Sequence, residues 1–300
     1  MDYKCLKTIN CKQRAVRGVR FNVDGSYCLS CGSDKTIKLW NPHKGLLLKT
    51  YEGHGNEVLD SCGSCDSSQI LSGGKDRCVI LWDVATGKTL RRLREHASNV
   101  TCVKFNEEAS VAISGSHDNT VMFWDLRSHS FQPIQVLRDA KDSITAVQVT
   151  DHEIVTGSLD MRIRRYDIRA GVLHIDYIGE PVTCINLTQD GQCYVLSTSN
   201  SIIWLFDKST GELLSQYKGH TTGEFCIECG VDQTDTYILS GSVDSNVYCW
   251  DLAEGEVIHK LKHNRDGIVH SLHTHPTSKF IVTATQAEIH LWGVKELECE

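Results

Sequence analysis

Proline is scarce in this chain, 4 in 300 residues, and no tract is biased toward a few residue types. A disordered or low-complexity linker is therefore not expected. No apolar run approaches the roughly 18–20 residues that a membrane-spanning helix needs. The opening residues, MDYKCLKTIN, carry Asp2, Lys4 and Lys7 and lack the apolar centre of a secretory signal, so the expected location is cytoplasmic and nuclear. An excess of positive charge is missing too. Lys plus Arg number 31 against 38 Asp plus Glu, a net charge of −7, which leaves no bulk footprint for nucleic acid. No segment holds a 3.6-residue apolar period, so helices are not expected. No phosphate-cradling glycine loop, kinase signature or G-x-S-x-G elbow occurs.

What is present is repetition. ISGSHDNTVMFWD at residues 113–125 returns as LSGGKDRCVILWD at 71–83 and as LSGSVDSNVYCWD at 239–251. Marking each unit by its last aromatic gives Trp40, Trp82, Trp124, Tyr166, Phe206, Trp250 and Trp292, spaced by 42, 42, 42, 40, 44 and 42. Six residues before each stands Asp34, Asp76, Asp118, Asp160, Asn200, Asp244 or Gln286. Within a unit a short apolar strand such as Val100 to Phe105 opens the pattern. A reversal such as Asp24-Gly25 or Asp190-Gly191 supplies the positive φ of a tight turn. The Ser/Thr strand, the Asp turn, the Trp strand, a second turn and a fourth strand follow.

Four strands per unit of about 42 residues resemble the WD-repeat family of β-propellers, with Gly53-His54, Glu95-His96 and Gly219-His220 matching its Gly-His element. The fold class expected is all-β: one seven-bladed propeller over residues 1–300. Only seven residues follow Trp292-Gly293, too few for a turn and a fourth strand. Leu6-Lys7-Thr8-Ile9 matches the fourth-strand text Leu48-Lys49-Thr50-Tyr51, so the N-terminal strand is expected to close the last blade.

The family resemblance implies hydrogen-bonded tetrads: His54, Ser72, Asp76 and Trp82 in blade two; His96, Ser114, Asp118 and Trp124 in blade three; His220, Ser240, Asp244 and Trp250 in blade six. A histidine has two ring nitrogens with which to bridge the turn Asp and the strand hydroxyl, and the indole N–H finds a buried acceptor. Ala140 stands where blade four would hold that His. The fifth unit shortens to Gly179-Glu180-Pro181 and carries Asn200, and the seventh carries Asn264 and Gln286. The Ser-His-Asp sets have the residue types of a hydrolase triad. Recurrence in several units makes them structural, since catalysis needs one, and no catalytic residue is expected.

Other chemistries are weaker. The pairs Cys28/Cys31, Cys62/Cys65 and Cys226/Cys229 lie in three blades, and residues three apart on a strand face opposite sides, which opposes zinc chelation. The 14 cysteines are read as reduced thiols. His270, His273 and His275 are split between a strand and a turn. Neither metal nor cofactor is expected. Arginines gather at Arg14, Arg17 and Arg20 and at Arg162, Arg164, Arg165 and Arg169, read as solvated positions with an acidic-partner anchor as the alternative. RNA binding has little support without stacking aromatics nearby. Trp124-Asp125-Leu126-Arg127 and Tyr166-Asp167-Ile168-Arg169 resemble the W-D-x-R box by which some propellers dock on a cullin-RING ubiquitin-ligase adaptor. Arg127 and Arg169 would carry that contact.

Ala15 to Gly25 (AVRGVRFNVDG) and Cys31 to Pro42 (CGSDKTIKLWNP) resemble the WD-repeat scaffolds that organise mitogen-activated protein kinase cascades, a family also named among spliceosomal components. The resemblance extends through all seven units, including the short fifth. It implies a non-catalytic scaffold for the extracellular-signal-regulated kinase cascade, a link to pre-mRNA splicing and binding to a prolyl hydroxylase of the hypoxia response. The alternative is a substrate receptor of a cullin-RING ligase. A monomer that binds several proteins is expected. Its partner-binding rim would be the face bearing the Asp turns, with Arg17, Lys35, Glu57, Lys75, Arg77, Asn99, His117, Asn119, Arg162 and His270, which vary while the frame repeats.

Overall fold

A computed structural model describes residues 3–263 and 267–294 of the chain. Asn264 lies outside the described residues. Seven four-stranded antiparallel sheets follow one another, six of them built from consecutive strands and the seventh in the order Ser271–Thr274, Phe280–Ala284, Glu288–Val294 and finally Tyr3–Asn10. The protein is a seven-bladed β-propeller whose last blade is completed by its N-terminal strand. Ile9 pairs with Ile289 and Lys7 with Leu291 in that closing ladder. Joining the two chain ends in one sheet turns ring opening into a cooperative event that must break a ladder.

The core is not one ball but seven slabs, each lying between neighbouring blades. Leu29, Ile37 and Tyr51 of blade one meet Val58, Ile80 and Trp82 of blade two. Ile9 and Val16 meet Val282 and Ile289 where blade seven meets blade one. Successive strand residues point to opposite sheet faces, and each middle strand has a blade on both sides, so apolar residues are needed at nearly every position. Val79–Asp83 and Val121–Asp125 are accordingly buried along all but their last residue. Close approach also fixes glycine: a Cβ on Gly73 would stand 2.5 Å from Val100 Cγ1 and one on Gly115 2.6 Å from Ile144 Cγ2.

Around the central channel every blade junction is tied by a side chain of an innermost strand. Arg20 reaches Asp60 at 3.1 Å, and Asp60 in turn accepts the Val103 N–H at 3.0 Å. Thr101 Oγ1 donates to Ile144 O and Thr145 Oγ1 to Val182 O, both at 2.7 Å. Asn186 Nδ2 donates to Cys229 O, Thr274 Oγ1 to Val231 O, and the Val19 N–H to Ser271 Oγ. The ring therefore closes twice, through apolar slabs and through this polar girdle.

Candidate interaction surface

Six of the seven units turn between their second and third strands at an Asp or Asn followed by a left-handed residue, and the seventh has Gln286 at that position. Lys35, Arg77, Asn119, Met161, Ser201 and Ser245 have φ of 71°, 62°, 66°, 65°, 63° and 67°. Asp makes that tolerable for residues with a Cβ because its carboxylate accepts the N–H two residues on: Thr36 N at 3.0 Å from Asp34, Thr120 N at 3.0 Å from Asp118. The left-handed residue then projects from one face of the ring. Lys35 and Arg77 are exposed, Asn119 and Met161 half-buried.

In blades two and three the turn Asp is the end of a buried relay. His54 Nδ1 lies 3.0 Å from Asp76, its Nε2 lies 2.8 Å from Ser72 Oγ, and Trp82 Nε1 donates to the same hydroxyl at 2.8 Å. His96, Asp118, Ser114 and Trp124 repeat the arrangement at 2.9, 2.8 and 2.9 Å. Burial opposes the charge of Asp118, but the bonds from His96, Thr120 and the Ala97 N–H outweigh it and hold the carboxyl far below its usual range. Every polar atom of these sets is spent inward.

Blade six departs from this expectation. Neither ring nitrogen of His220 has a hydrogen-bond partner among the described residues. Trp250 Nε1 donates to Lys218 O at 3.0 Å rather than to Ser240, whose hydroxyl turns to Gly241 O. Asp244 instead accepts the Tyr248 hydroxyl at 2.7 Å. The segment entering the first strand is three residues longer here, seven from His220 to buried Ile227 against four from His96 to Val100, which draws the imidazole off the relay. Burial, resisted by Asp244, lowers His220 to about 4.

Blades without the relay histidine meet the same need differently. In blade four Arg164, 1 % exposed, donates to Asp160 Oδ2 at 2.6 Å and to Ser158 Oγ at 2.9 Å. Burial opposes the Asp160 charge, yet Arg164, Ser158 and the Lys141 N–H bring it down to about 2. In blade one Gln13 Oε1 accepts the Ser30 hydroxyl, and Lys38 stands 3.6 Å from Asp34. In blade seven the histidine is His263, whose Nε2 lies 2.8 Å from Thr283 Oγ1, with Trp292 Nε1 donating to that hydroxyl at 2.9 Å. Lys38, Arg164 and Tyr248 all stand two residues before the unit's aromatic. That places them on the aromatic's own face of the strand, within reach of the turn. A charged residue at this position among buried aliphatics is the signal that a search for one histidine overlooks.

The expected rim residues do not form one set. Lys35, Arg77 and His117 are exposed. Arg17 and Lys75 share Glu57, at 3.4 and 3.0 Å, and with Asn99, His117 and His270 they line a cavity of about 290 Å³ at the channel mouth. Two placements are corrected. His270 is only 8 % exposed, packed edge-on against Phe225 at 5.6 Å. Arg162 begins a strand, one residue past the turn position that Met161 fills, and stacks on Tyr177 at 5.4 Å. Nor are Arg20 and Arg164 solvated: both are internal ion pairs. Arg127 and Arg169 lie on the opposite face, after the third strands. Arg127 is 74 % exposed beside its own Asp125 at 3.6 Å, and Arg169 donates its backbone N–H to Asp167. Of the paired cysteines, burial pushes the Cys31 and Cys62 thiols up to about 12, far from thiolate chemistry.

Comparison with known proteins gives the family. The description "WD domain, G-beta repeat" matches residues 3–41, 211–251 and 255–293, and "Nucleolar protein 10-like, N-terminal domain" matches 63–227. This chain belongs to the WD-repeat family. It is 57 % identical over 297 residues to WD repeat domain-containing protein 83 of Rattus norvegicus, covering 99 % of this chain and 94 % of that one. The Homo sapiens protein of that name is 55 % identical over 300 residues, covering 100 % and 95 %. The Dictyostelium discoideum homolog is 32 % identical over 321 residues, covering 97 % and 98 %. WD-repeat propellers are generally non-catalytic and bind other proteins, and the inward-turned Ser, His and Asp of blades two and three accord with that.

Proposed function

We propose that this chain is a non-catalytic scaffold that assembles kinases of an extracellular-signal-regulated cascade and proteins of the pre-mRNA splicing machinery, in cytoplasm and nucleus. A prolyl hydroxylase of the hypoxia response is a further partner by the same resemblance. The observation that carries the reading is a division of labour between residues. The repeated Ser, His and Asp are consumed in buried bonds, whereas the left-handed turn residues beside them, exposed Lys35 and Arg77 and half-buried Asn119, differ from blade to blade. A rigid ring with variable turns can hold several proteins at once. Affinity purification with mass spectrometry tests it. Wild type is expected to retain kinases and splicing proteins, and Lys35→Glu/Arg77→Glu to lose a subset of them. An interactome that is unchanged in that variant would remove the turn face from the proposal.

A second reading rests on the exposure of Arg127 and Arg169 on the opposite face: a receptor docking on a cullin-RING ligase adaptor. Co-purification of the adaptor, lost on Arg127→Ala/Arg169→Ala, supports it, and adaptor binding that survives both changes rules the boxes out.

A further inference from the structure

Blade three is built unlike its neighbours. Its outer strand is Gln135–Leu137, three residues, where the outer strands of blades two and four are Thr89–Leu93 and Val172–Tyr177. It pairs only with Val121, Met122 and Phe123, and the Leu126 to Ile134 connection departs from the sheet before returning through the bond from the Ile134 N–H to Phe123 O. The consequence is an open boundary between blades three and four. A groove of about 630 Å³ runs there, on the face opposite the Asp turns, floored by Ile113, Phe123, Leu137 and Ile154 and flanked by Ile134 and Ile168. Those last two are 60 % and 58 % exposed, unusual for large aliphatic side chains beside a formed cavity.

Charge distinguishes this groove from an ordinary apolar seam. Among the described residues five acidic side chains line it, Glu107, Glu108, Asp139, Asp151 and Asp167, and no Lys or Arg does. Asp139 accepts the Tyr166 hydroxyl and Asp167 caps its own turn. Glu107 and Asp151 face each other across the two blades, and the hydrogen bond between the carboxyls together with their repulsion raises Glu107. Two acidic side chains brought together on the groove's rim are a site that a basic side chain would relieve.

We propose that the groove between blades three and four is a docking site for an extended segment of a partner protein, carrying two or more large aliphatic or aromatic side chains flanked by lysine or arginine. The apolar residues would enter between Ile134 and Ile168, and the cations would lie against Glu107, Glu108 and Asp151. A second copy of this chain is the poorer occupant: its net charge is −7, and it would bring acidic surface to an acidic rim. The proposal rests on the scaffold reading and adds a second address on the other face of the ring.

The experiment is selection of a random 16-residue peptide phage library on the full chain, followed by fluorescence anisotropy with the enriched peptides. Enriched sequences are expected to combine apolar residues with Lys or Arg. Their Kd should rise roughly tenfold or more on Ile168→Asp and on Glu107→Lys/Asp151→Lys. All three positions lie at the surface, so the variants are expected to fold, which thermal melts would check. The control Lys35→Glu/Arg77→Glu should bind unchanged. Acidic consensus peptides, no enrichment, or affinity lost in the control rather than the groove variants would overturn the site. So would sedimentation showing that the groove closes on a second copy. Failure here with intact cellular complexes removes the groove alone, whereas peptide binding without any cellular complex removes the scaffold reading.

Discussion

Ser114 accepts from one indole and faces one imidazole, and its neighbours explain why a single residue type can be rigidly required in one blade and replaced in the next. The demand is for a donor that reaches the turn carboxylate and an acceptor for the indole; histidine is one answer among several. Blade four answers with Arg164, buried against Asp160. Arg164→Met should cost about 3–5 kcal/mol, because it leaves a buried carboxylate without its ion-pair partner, and Arg164→Met/Asp160→Asn should recover part of the loss. Urea denaturation monitored by tryptophan fluorescence gives both numbers. Blades three and six supply a sharper contrast. His96→Leu orphans Ser114 and Asp118 and should cost roughly 1–3 kcal/mol, whereas His220, with neither nitrogen bonded, should tolerate Leu within about 1 kcal/mol. Equal costs in the two would mean that His220 has bonds like those of His96.

At the scale of elements, the closing strand Tyr3–Asn10 is the one piece of a blade that the rest of its sheet does not adjoin in sequence. Ile9, 5 % exposed, packs with Val282, Ile289 and Leu291 from that sheet. Ile9→Ala should destabilise by about 2–5 kcal/mol, more than the same change at exposed Leu6, read as a lower midpoint in thermal melts. Much of this architecture was legible because it depends on local text. The six-residue offset from Asp to aromatic reflects one turn and one strand, and Leu6 to Ile9 reads like the fourth strand of another unit. What was not legible depends on three-dimensional reach. His263 was missed because it stands 20 residues before its hydroxyl partner Thr283, where His54 and His96 stand 18 before theirs, so counting back from Gln286 points to Asn264 instead. His220 was assigned a relay because spacing is blind to a longer entry loop that moves the ring. Arg162 and His270 looked like rim residues because a shift of one position on a strand, or a fold of the channel mouth, leaves the sequence pattern intact. The short outer strand of blade three has no signal that distinguishes a long turn from a missing ladder.

On the scale of the whole molecule, the ring is held by polar groups that face the channel and by histidines enclosed between blades, and these make its stability depend on pH. Burial lowers His220, His263, His270 and His290 to about 4, with Asp244 and Glu228 partly resisting it at His220 and His270. In the unfolded chain a histidine titrates near 6.5. Between those values the unfolded state binds more protons, so stability is full above about pH 6.5 and falls as pH drops toward 4. The carboxylates of the relays lose their contribution at lower pH, since Asp160 titrates near 2 when folded against an ordinary value near 4. Two acid windows should therefore be separable. Urea midpoints measured at pH 7.5 and 5 should differ by an amount equivalent to a few kcal/mol, with little further gain above pH 7.5. His220→Leu/His290→Leu should flatten that first window while leaving the one below pH 4 in place. A wild-type midpoint that is constant from pH 7.5 to 5 would mean these imidazoles are protonated in the folded ring, and the pairing of the channel groups would have to be reassigned.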